Sequence, residues 1–225
     1  MKRENLNKVI ITAVFSAIAF LFTFIFKFKV SFLTFDFKDA VISIISFLLG
    51  PIYGLVSAGI VAFFEFISIS DTGLYGLIMN FISSGSFALI IGTVYKYKRT
   101  FSGAITASVV AVVGVTAVMM VANYFITPFY MANAGVSKDM VLKMIPTLLL
   151  PFNLAKTIIN ASATLVIYKP VTNALRRFGL VKKNENQNVS SITRSFLLYT
   201  ISLIIITFAI LFIIFAMNGG FKIIA

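Results

Sequence analysis

The chain has 225 residues, of which 60% are hydrophobic and only 12% are charged. Its mean hydropathy is +1.02, whereas a soluble domain has about 45–50% apolar and about 25% charged residues, so the composition predicts an integral membrane protein. The sequence contains no Cys and no His, which excludes disulfides, thiolate or imidazole metal sites, and acid–base catalysis by histidine.

The net charge of +12 would suggest a nucleic-acid partner in a soluble protein. In a membrane protein, Lys and Arg in short loops instead set the topology. We therefore expect the lipid bilayer, and not nucleic acid, to be the partner. No small-residue cleavage site follows the first apolar run, so we interpret that run as a retained span and not as a signal peptide.

Seven apolar runs follow one another along the chain and predict a single polytopic, all-α membrane domain. The predicted spans are 9–26, 40–49, 52–69, 74–95, 101–125, 144–177 and 196–217. The second is short for a full crossing and ends at Gly50-Pro51. In the first span, Ala13 and Ala17 form a small-xxx-small pair, which allows another helix to approach closely; ordinary packing within the protein is the alternative.

Two loops combine charged or polar residues with aromatic rings. Residues 27–39 form an interfacial loop that includes Phe35 and Asp36, and its residues 30–37 alternate in a way typical of extended chain. The second loop is predicted at 127–135, between the fifth span and a polar, amphipathic piece at 136–143.

The sixth span carries a polar stripe. Asn153, Lys156 and Asn160 are spaced i, i+3, i+7 and therefore share one helical face. A lysine inside a span costs roughly 2.5 kcal/mol or more, so it normally faces a protein interior and has a partner. The alternative is that Lys156 snorkels or pairs with an acid such as Glu65. Because the buried ammonium is costly, Lys156→Met is expected to fold as well as the wild type or better.

The distribution of basic residues predicts the orientation. Placing the N-terminus inside puts twelve Lys and Arg residues on the inner side and six on the outer side, which favours a cytoplasmic N-terminus. Both aromatic loops and the Pro151 end of the sixth span then meet on the outer half of the bundle, where a ligand from outside would be captured.

These outer residues suggest the chemistry of a ligand. Side-chain amides offer a donor and an acceptor together, lysine offers donors and positive charge, and aromatic rings suit a planar ring. The combination fits a heteroaromatic, mostly neutral metabolite and fits an inorganic ion poorly, because no ring of carboxylates or carbonyls is evident. The candidate residues are Asn80, Asn123, Asn153 and Lys156 with Phe35, Tyr124, Phe129 and Tyr130.

Five segments resemble the riboflavin-specific S components of energy-coupling factor (ECF) transporters. They are Phe35-Asp-Phe-Lys-Asp-Ala40, Leu48-Leu-Gly-Pro-Ile-Tyr-Gly54, Gly76-Leu-Ile-Met-Asn80, Asn123-Tyr124 and Leu150-Pro-Phe-Asn-Leu-Ala-Lys156. The similarity covers roughly residues 8–180, and the Leu-Pro-Phe-Asn-x-x-Lys piece is its most specific part. The Gly-Pro turn and the alanine pair are shared by S components in general, so they support the superfamily more than the substrate.

The resemblance implies a six-helix transmembrane bundle in the plasma membrane that binds riboflavin near its outer face. Riboflavin would be a transported ligand and not a cofactor. The partners implied are a membrane T component and two ATP-hydrolysing A subunits. By residue, it implies flavin contacts from Asn123, Asn153 and Lys156, and docking on the T component through Ala13 and Ala17. The remaining candidate binding residues are Phe35, Asp36, Asn80, Tyr124, Thr127 and Tyr130.

The chain departs from this family after residue 180. We expect a substrate-binding domain at 1–180, a cytoplasmic linker at 181–195 and a seventh, C-terminal transmembrane helix at 196–217. No Gly-x-x-x-x-Gly-Lys-Ser/Thr loop is present, so ATP would be hydrolysed by a partner, and no enzymatic activity is expected.

Three alternatives remain from sequence. They are an S component for another vitamin such as thiamine, pantothenate or folate, a membrane enzyme such as a lipid-modifying transferase, and a free-standing channel. An enzyme would require clustered Asp, Glu or His in a span, and Glu65 alone comes close to being buried.

Overall fold

The computed structural model describes residues 3–30, 32–131, 135–179 and 207. The predicted linker at 181–195 lies outside the described residues, and so does the predicted seventh helix at 196–217 except for position 207. The described elements are α1 (Arg3–Ile25), β1 (Phe28–Val30), β2 (Leu33–Phe35), α2 (Lys38–Leu49), α3 (Pro51–Ser68), α4 (Gly73–Tyr97), α5 (Phe101–Tyr130), α6 (Lys138–Met144) and α7 (Leu150–Arg177), with a π-helical stretch at Ile145–Leu149 between the last two.

Within the described part of the chain, five helical segments are long and apolar enough to cross a membrane: α1, α3, α4, α5 and the continuous segment from α6 to α7. The all-α membrane fold predicted from the sequence is therefore confirmed. Helix α2 has 12 residues, or about 18 Å at 1.5 Å per residue, which is short of the roughly 30 Å hydrocarbon core. Helix α2 nevertheless belongs to the bundle together with these five segments, because most of its residues are buried.

Glycine allows the sharp turn and the close packing around α2. Gly50 joins α2 to α3 with φ at +109°, a conformation that L-residues avoid, and Pro51 begins α3 where no helical N–H is needed. At Gly92 of α4, a Cβ atom would lie 2.9 Å from the Cβ of Ser46 and 3.0 Å from the Cα of Pro51. Helix α4 thus packs directly against the α2–α3 turn.

The main apolar core lies where α2, α4, α5 and α7 meet. On α5, Ala104, Ala107 and Ala111 are fully buried, and these small side chains let the neighbouring helices approach closely. Larger side chains such as Phe87 and Ile91 of α4 fill the space between them. The core therefore holds α4, α5 and α7 in a defined arrangement around α2.

A short hairpin connects α1 to α2. Strands β1 and β2 are antiparallel, with Phe28 opposite Phe35 and Lys29 opposite Thr34. This agrees with the extended chain expected from alternation, although the strands begin earlier than the pattern. The ring of Phe35 lies 6.4 Å from that of Phe152 on α7, centre to centre, so the hairpin packs on the start of α7.

One expectation about the chain between the fifth and sixth spans was wrong in detail. The loop predicted from Thr127 is helical up to Tyr130, because Pro128 lies inside the last turn of α5, where its missing N–H removes only one bond. The predicted amphipathic piece forms α6 from Lys138 and continues into α7. At Pro146 the helix widens into the π-helical stretch, which relieves the clash of a proline ring with the preceding turn.

Candidate ligand-binding site

A cavity of about 220 Å³ opens between the hairpin, the α3–α4 turn and the first half of α7. Its lining combines charged and polar side chains with aromatic and aliphatic ones. The residues that line it are Thr23, Lys27, Lys29, Phe32, Leu33, Thr34, Asp36, Glu65, Ile69, Ser70, Asp71, Thr72, Tyr75, Gly76, Met79, Asn80, Ser83, Met119, Tyr130, Phe152, Asn153 and Lys156.

Lys156 has a partner, as expected for a lysine inside a span, but the partner is not Glu65. Its Nζ lies 2.9 Å from Oδ2 of Asp36 and donates to the carbonyl oxygen of Thr34 at 3.1 Å. The suggestion that it pairs with Glu65 is therefore wrong. An ammonium has three donors, so one N–H remains for a ligand in the cavity.

Asp36 is shared by two lysines. Besides Lys156, the Nζ of Lys38 lies 3.6 Å from its Oδ2. Burial raises the pKa of Asp36, but the charges of Lys156 and Lys38 outweigh this effect and hold the pKa below its ordinary value. Asp36 is thus ionised at neutral pH and anchors the end of the hairpin to α7.

A second ion pair was missed by the sequence reasoning. Lys38 donates to both carboxylate oxygens of Glu65 at 2.7 Å, and the Nδ2 of Asn80 donates to Oε2 of the same carboxylate at 2.7 Å. Lys38 is only 1% exposed. A lysine at the head of an apolar run was the available signal, because such a charge needs a partner when it is buried.

The polar stripe of α7 divides into two parts. Asn153 and Lys156 line the cavity, and Nδ2 of Asn153 donates to the carbonyl of Leu149 at 2.8 Å, which leaves its Oδ1 as an acceptor. Asn160 is buried behind them. It donates to the backbone carbonyl of Asp36 at 2.9 Å and accepts from the N–H of Ala40 at 3.0 Å, so it fastens the start of α2 to α7.

The structure brings some of the other candidate residues to the cavity and leaves others away from it. Asp36, Asn80 and Tyr130 line the cavity together with Asn153 and Lys156. The candidates that do not line it are Phe35, Asn123, Tyr124, Thr127 and the exposed Phe129.

The candidates that lie off the cavity have partners of their own. Asn123 donates to the carbonyl of Met119 at 2.7 Å and accepts from the hydroxyl of Thr127 at 3.0 Å. Tyr124 packs against Phe125, and the Nζ of Lys138 lies 6.0 Å from the centre of its ring. These contacts occupy Asn123 and Tyr124 on α5 outside the lining of the cavity.

Several aromatic rings line the cavity and lie close to one another. The ring of Tyr130 lies 6.0 Å from that of Phe32 and 6.3 Å from that of Tyr75, centre to centre. Among the described residues, no group of three or more acidic side chains is placed to hold a metal ion. A cavity lined by aromatic rings together with amide and ammonium groups suits a planar organic ligand.

Two lysines connect the hairpin to the α3–α4 turn at the mouth of the cavity. Lys29 forms an exposed ion pair with Asp71, and this contact holds the pKa of the Asp71 carboxyl below its usual range. Lys27 donates to the backbone carbonyl of Ile69 at 2.8 Å. Exposed pairs contribute little to stability, so the mouth is held less firmly than the buried wall.

Comparison with known proteins identifies the family. A family model described as the substrate-specific component of ECF transporters matches residues 7–168. The riboflavin transporter RibU of Staphylococcus aureus is 32% identical over 180 residues, which cover 76% of this chain and 94% of that protein. RibU of Streptococcus thermophilus is 31% identical over 106 residues, or 45% of this chain and 50% of that protein.

A solved structure gives the same result. It is described as the S component of a bacterial ECF transporter, and it matches with a TM-score of 0.62 and 29% identity over 77% of this chain and 99% of its own. The residues matched by the family model, 7–168, include every described residue that lines the cavity. The chain therefore belongs to the family of substrate-specific components of ECF transporters.

Proposed function

We propose that this chain is a riboflavin-binding S component, which captures the vitamin outside the cell for uptake driven by partner subunits. The observation that carries the proposal is the cavity that Lys156, Asn153 and Asn80 line together with the rings of Tyr75 and Tyr130. The names of the two RibU relatives support riboflavin as the ligand. The second candidate function is an S component for another vitamin with a planar ring.

The ammonium, amide and aromatic groups of the cavity have counterparts on a flavin. The free N–H of Lys156 can donate to a ring carbonyl, and the amide oxygens of Asn153 and Asn80 can accept from an imide N–H or a hydroxyl. The aromatic wall can stack on the flat ring system. The cavity is smaller than the roughly 300 Å³ at the lower end of ligand pockets, so we expect the mouth to open by movement of the hairpin.

The orientation and the assembly follow from the same proposal. We infer a multi-pass protein of the plasma membrane with a cytoplasmic N-terminus, so that the cavity opens to the outside. The partners are a T component and two ATP-hydrolysing A subunits, and the chain itself has no enzymatic activity. Residues 1–180 form the binding domain, 181–195 a cytoplasmic linker and 196–217 an additional helix.

Fluorescence titration of the purified protein tests the ligand. Riboflavin fluorescence should be quenched on binding, and the protein should be yellow. Lys156→Ala and Asn153→Ala should each weaken binding by more than about 1.5 kcal/mol, the scale for hydrogen bonds that involve charged groups. Lys143→Ala, at an exposed position of α6, is the matched control and should bind like the wild type.

Two results would contradict the proposal. If micromolar riboflavin does not bind but thiamine or folate does, the chain is an S component for another vitamin. If both cavity variants keep the wild-type affinity, the polar face of α7 serves the fold and not the ligand.

A further inference from the structure

Lys38 is only 1% exposed, and it does not line the cavity itself. Its ammonium nevertheless contacts two carboxylates that do. It donates to both oxygens of Glu65 at 2.7 Å and lies 3.6 Å from Asp36. One buried lysine on α2 thus holds one carboxylate from α3 and another from the end of the hairpin.

The bond between Glu65 and Asn80 has a defined direction. A carboxylate that accepts from an ammonium with both oxygens is ionised, and an ionised carboxylate is an acceptor only. The amide of Asn80 must therefore turn its NH₂ group towards Glu65, in agreement with the 2.7 Å contact from Nδ2 to Oε2. Because Asn80 also lines the cavity, its Oδ1 is the polar atom that remains for a ligand.

We propose that Lys38 is a positioning residue which, through Glu65, makes Asn80 present a hydrogen-bond acceptor to the cavity. The ligand group that meets Asn80 is accordingly a donor, an N–H or an O–H. Without the ammonium, Glu65 can hold a proton and donate, and the amide of Asn80 can then turn its NH₂ group to the ligand instead. This inference rests on the proposed riboflavin-binding function and adds a specificity determinant to it.

The competing explanation is that Lys38 only neutralises buried charge. The two explanations differ for a variant in which both charges are removed. Replacing a buried ion pair by apolar residues of similar size is often neutral or stabilising, so Lys38→Met with Glu65→Met should fold even where Lys38→Met alone does not. If Lys38 serves only the fold, Asn80→Ala should weaken riboflavin binding in this double variant as much as it does in the wild type.

The test measures riboflavin dissociation constants and melting temperatures for a small set of purified variants. The set comprises the wild type, Lys38→Met, Lys38→Arg and the double variant Lys38→Met with Glu65→Met. Asn80→Ala is also introduced into the wild type and into the double variant. Lys96→Met, an exposed lysine at the far end of α4, is the matched control. It should leave both quantities unchanged.

We expect the double variant to melt at or above the temperature of Lys38→Met but to bind riboflavin about tenfold more weakly than the wild type, because no carboxylate then fixes the amide of Asn80 with its oxygen towards the ligand. In the wild-type background, Asn80→Ala should weaken riboflavin binding by a similar factor. In the double variant it should change the affinity by less than about twofold, because the amide is no longer oriented. Lys38→Arg, which keeps the charge, should bind more tightly than Lys38→Met.

Wild-type affinity in the double variant would overturn the inference, and so would an undiminished effect of Asn80→Ala in that background. Both results leave the proposed function intact, since the wild type still binds. Absence of riboflavin binding by the wild type would instead overturn the proposed function, and the inference with it.

Discussion

Asp36 is the carboxylate on which two buried lysines converge. Lys156 of α7 lies 2.9 Å away and Lys38 of α2 lies 3.6 Å away, so the hairpin end, α2 and α7 are joined by charge as well as by packing. This arrangement removes the basis for expecting Lys156→Met to fold as well as the wild type. Removing one member of a buried pair leaves the other charge uncompensated, which is strongly destabilising.

Asp36→Asn should therefore lower stability by about 3–5 kcal/mol at neutral pH, the range for breaking a buried ion pair. Asp71→Asn, which removes the exposed partner of Lys29, is the control and should change the melting temperature little. The two variants can be compared by thermal unfolding in detergent. Equal melting temperatures would contradict the structural role of Asp36.

The same comparison has a pH dependence with a defined sign. The pKa of Asp36 in the folded protein is lowered, so its ionisation stabilises the fold above the unfolded pKa of about 3.9 and loses this effect as the pH falls through the folded pKa. The difference in the free energy of unfolding between the wild type and Asp36→Asn should have its full value at neutral pH and decrease below about pH 4.

Much of the polar wall could be anticipated from the sequence, but its pairing could not. The spacing of Asn153 and Lys156 on one helical face is a property of the helix itself, and both residues do line the cavity. The pairing of Lys38 with Glu65 joins residues on different helices. Spacing within one helix carries no information about such a contact, which depends on how α2 and α3 pack.

Among the elements, the turn between α2 and α3 shows the clearest relation between a residue and a backbone shape. No atom lies within 4 Å of the position of a Cβ at Gly50, yet its φ is +109°. A side chain there would be strained by the backbone alone. Gly59, inside α3, would place a Cβ 3.5 Å from the ring of Phe81, an ordinary contact.

Gly50→Ala should consequently destabilise the protein by about 1–3 kcal/mol, the cost of a residue in a sparsely populated region. Gly59→Ala should leave stability unchanged or raise it by up to about 1 kcal/mol, because alanine favours helix. Thermal unfolding of both variants measures the difference. A Gly50→Ala protein as stable as Gly59→Ala would show that the turn adjusts without strain.

The helix boundaries predicted from the sequence agree closely with the structure where glycine, proline or charge marks them, as at Gly50 and Pro51. The agreement is poorer where a proline lies within a helix. Pro128 was placed in a predicted loop but lies in the last turn of α5. Pro146 was placed inside the sixth predicted span, and it lies in the π-helical stretch before α7. Whether a proline ends a helix depends on the packing of the next turn, which a local pattern does not contain.

For the molecule as a whole, we propose that α1 offers a surface for a partner. Ala13 and Ala17 are exposed, whereas Ser16 between them is buried and hydrogen-bonded to Ser57 of α3 at 2.7 Å. The alanine pair thus faces away from the bundle. Small residues on an outward face permit close approach of another membrane helix.

Ala13→Trp combined with Ala17→Trp should leave riboflavin binding by the purified protein unchanged but abolish uptake in cells and co-purification with the T component. The control is Val113→Trp, at an exposed position of α5, which should support normal uptake. Normal uptake by the Trp pair would remove this face from consideration as the docking surface.

The whole binding function should reside in the first part of the chain. Every described residue that lines the cavity lies between Thr23 and Lys156. Truncation after Lys183 should therefore leave a folded protein with wild-type riboflavin affinity, measured by the same titration. Truncation after Lys143, which removes α7, should abolish binding. Loss of affinity in the longer truncation, with folding intact, would show that the C-terminal segment helps to form the site.

The π-helical stretch at Ile145–Leu149 also affects how this chain should be aligned with others. A π-helical turn takes up about one residue more than an α-helical turn, so the stretch behaves as a one-residue insertion. A homologue whose helix ran straight would need a gap here. Without the gap, an alignment anchored on α6 would shift every later position by one and would match Asn153 and Lys156 to neighbours that face other directions. Conservation of the binding residues would then be underestimated in the segment where it matters most.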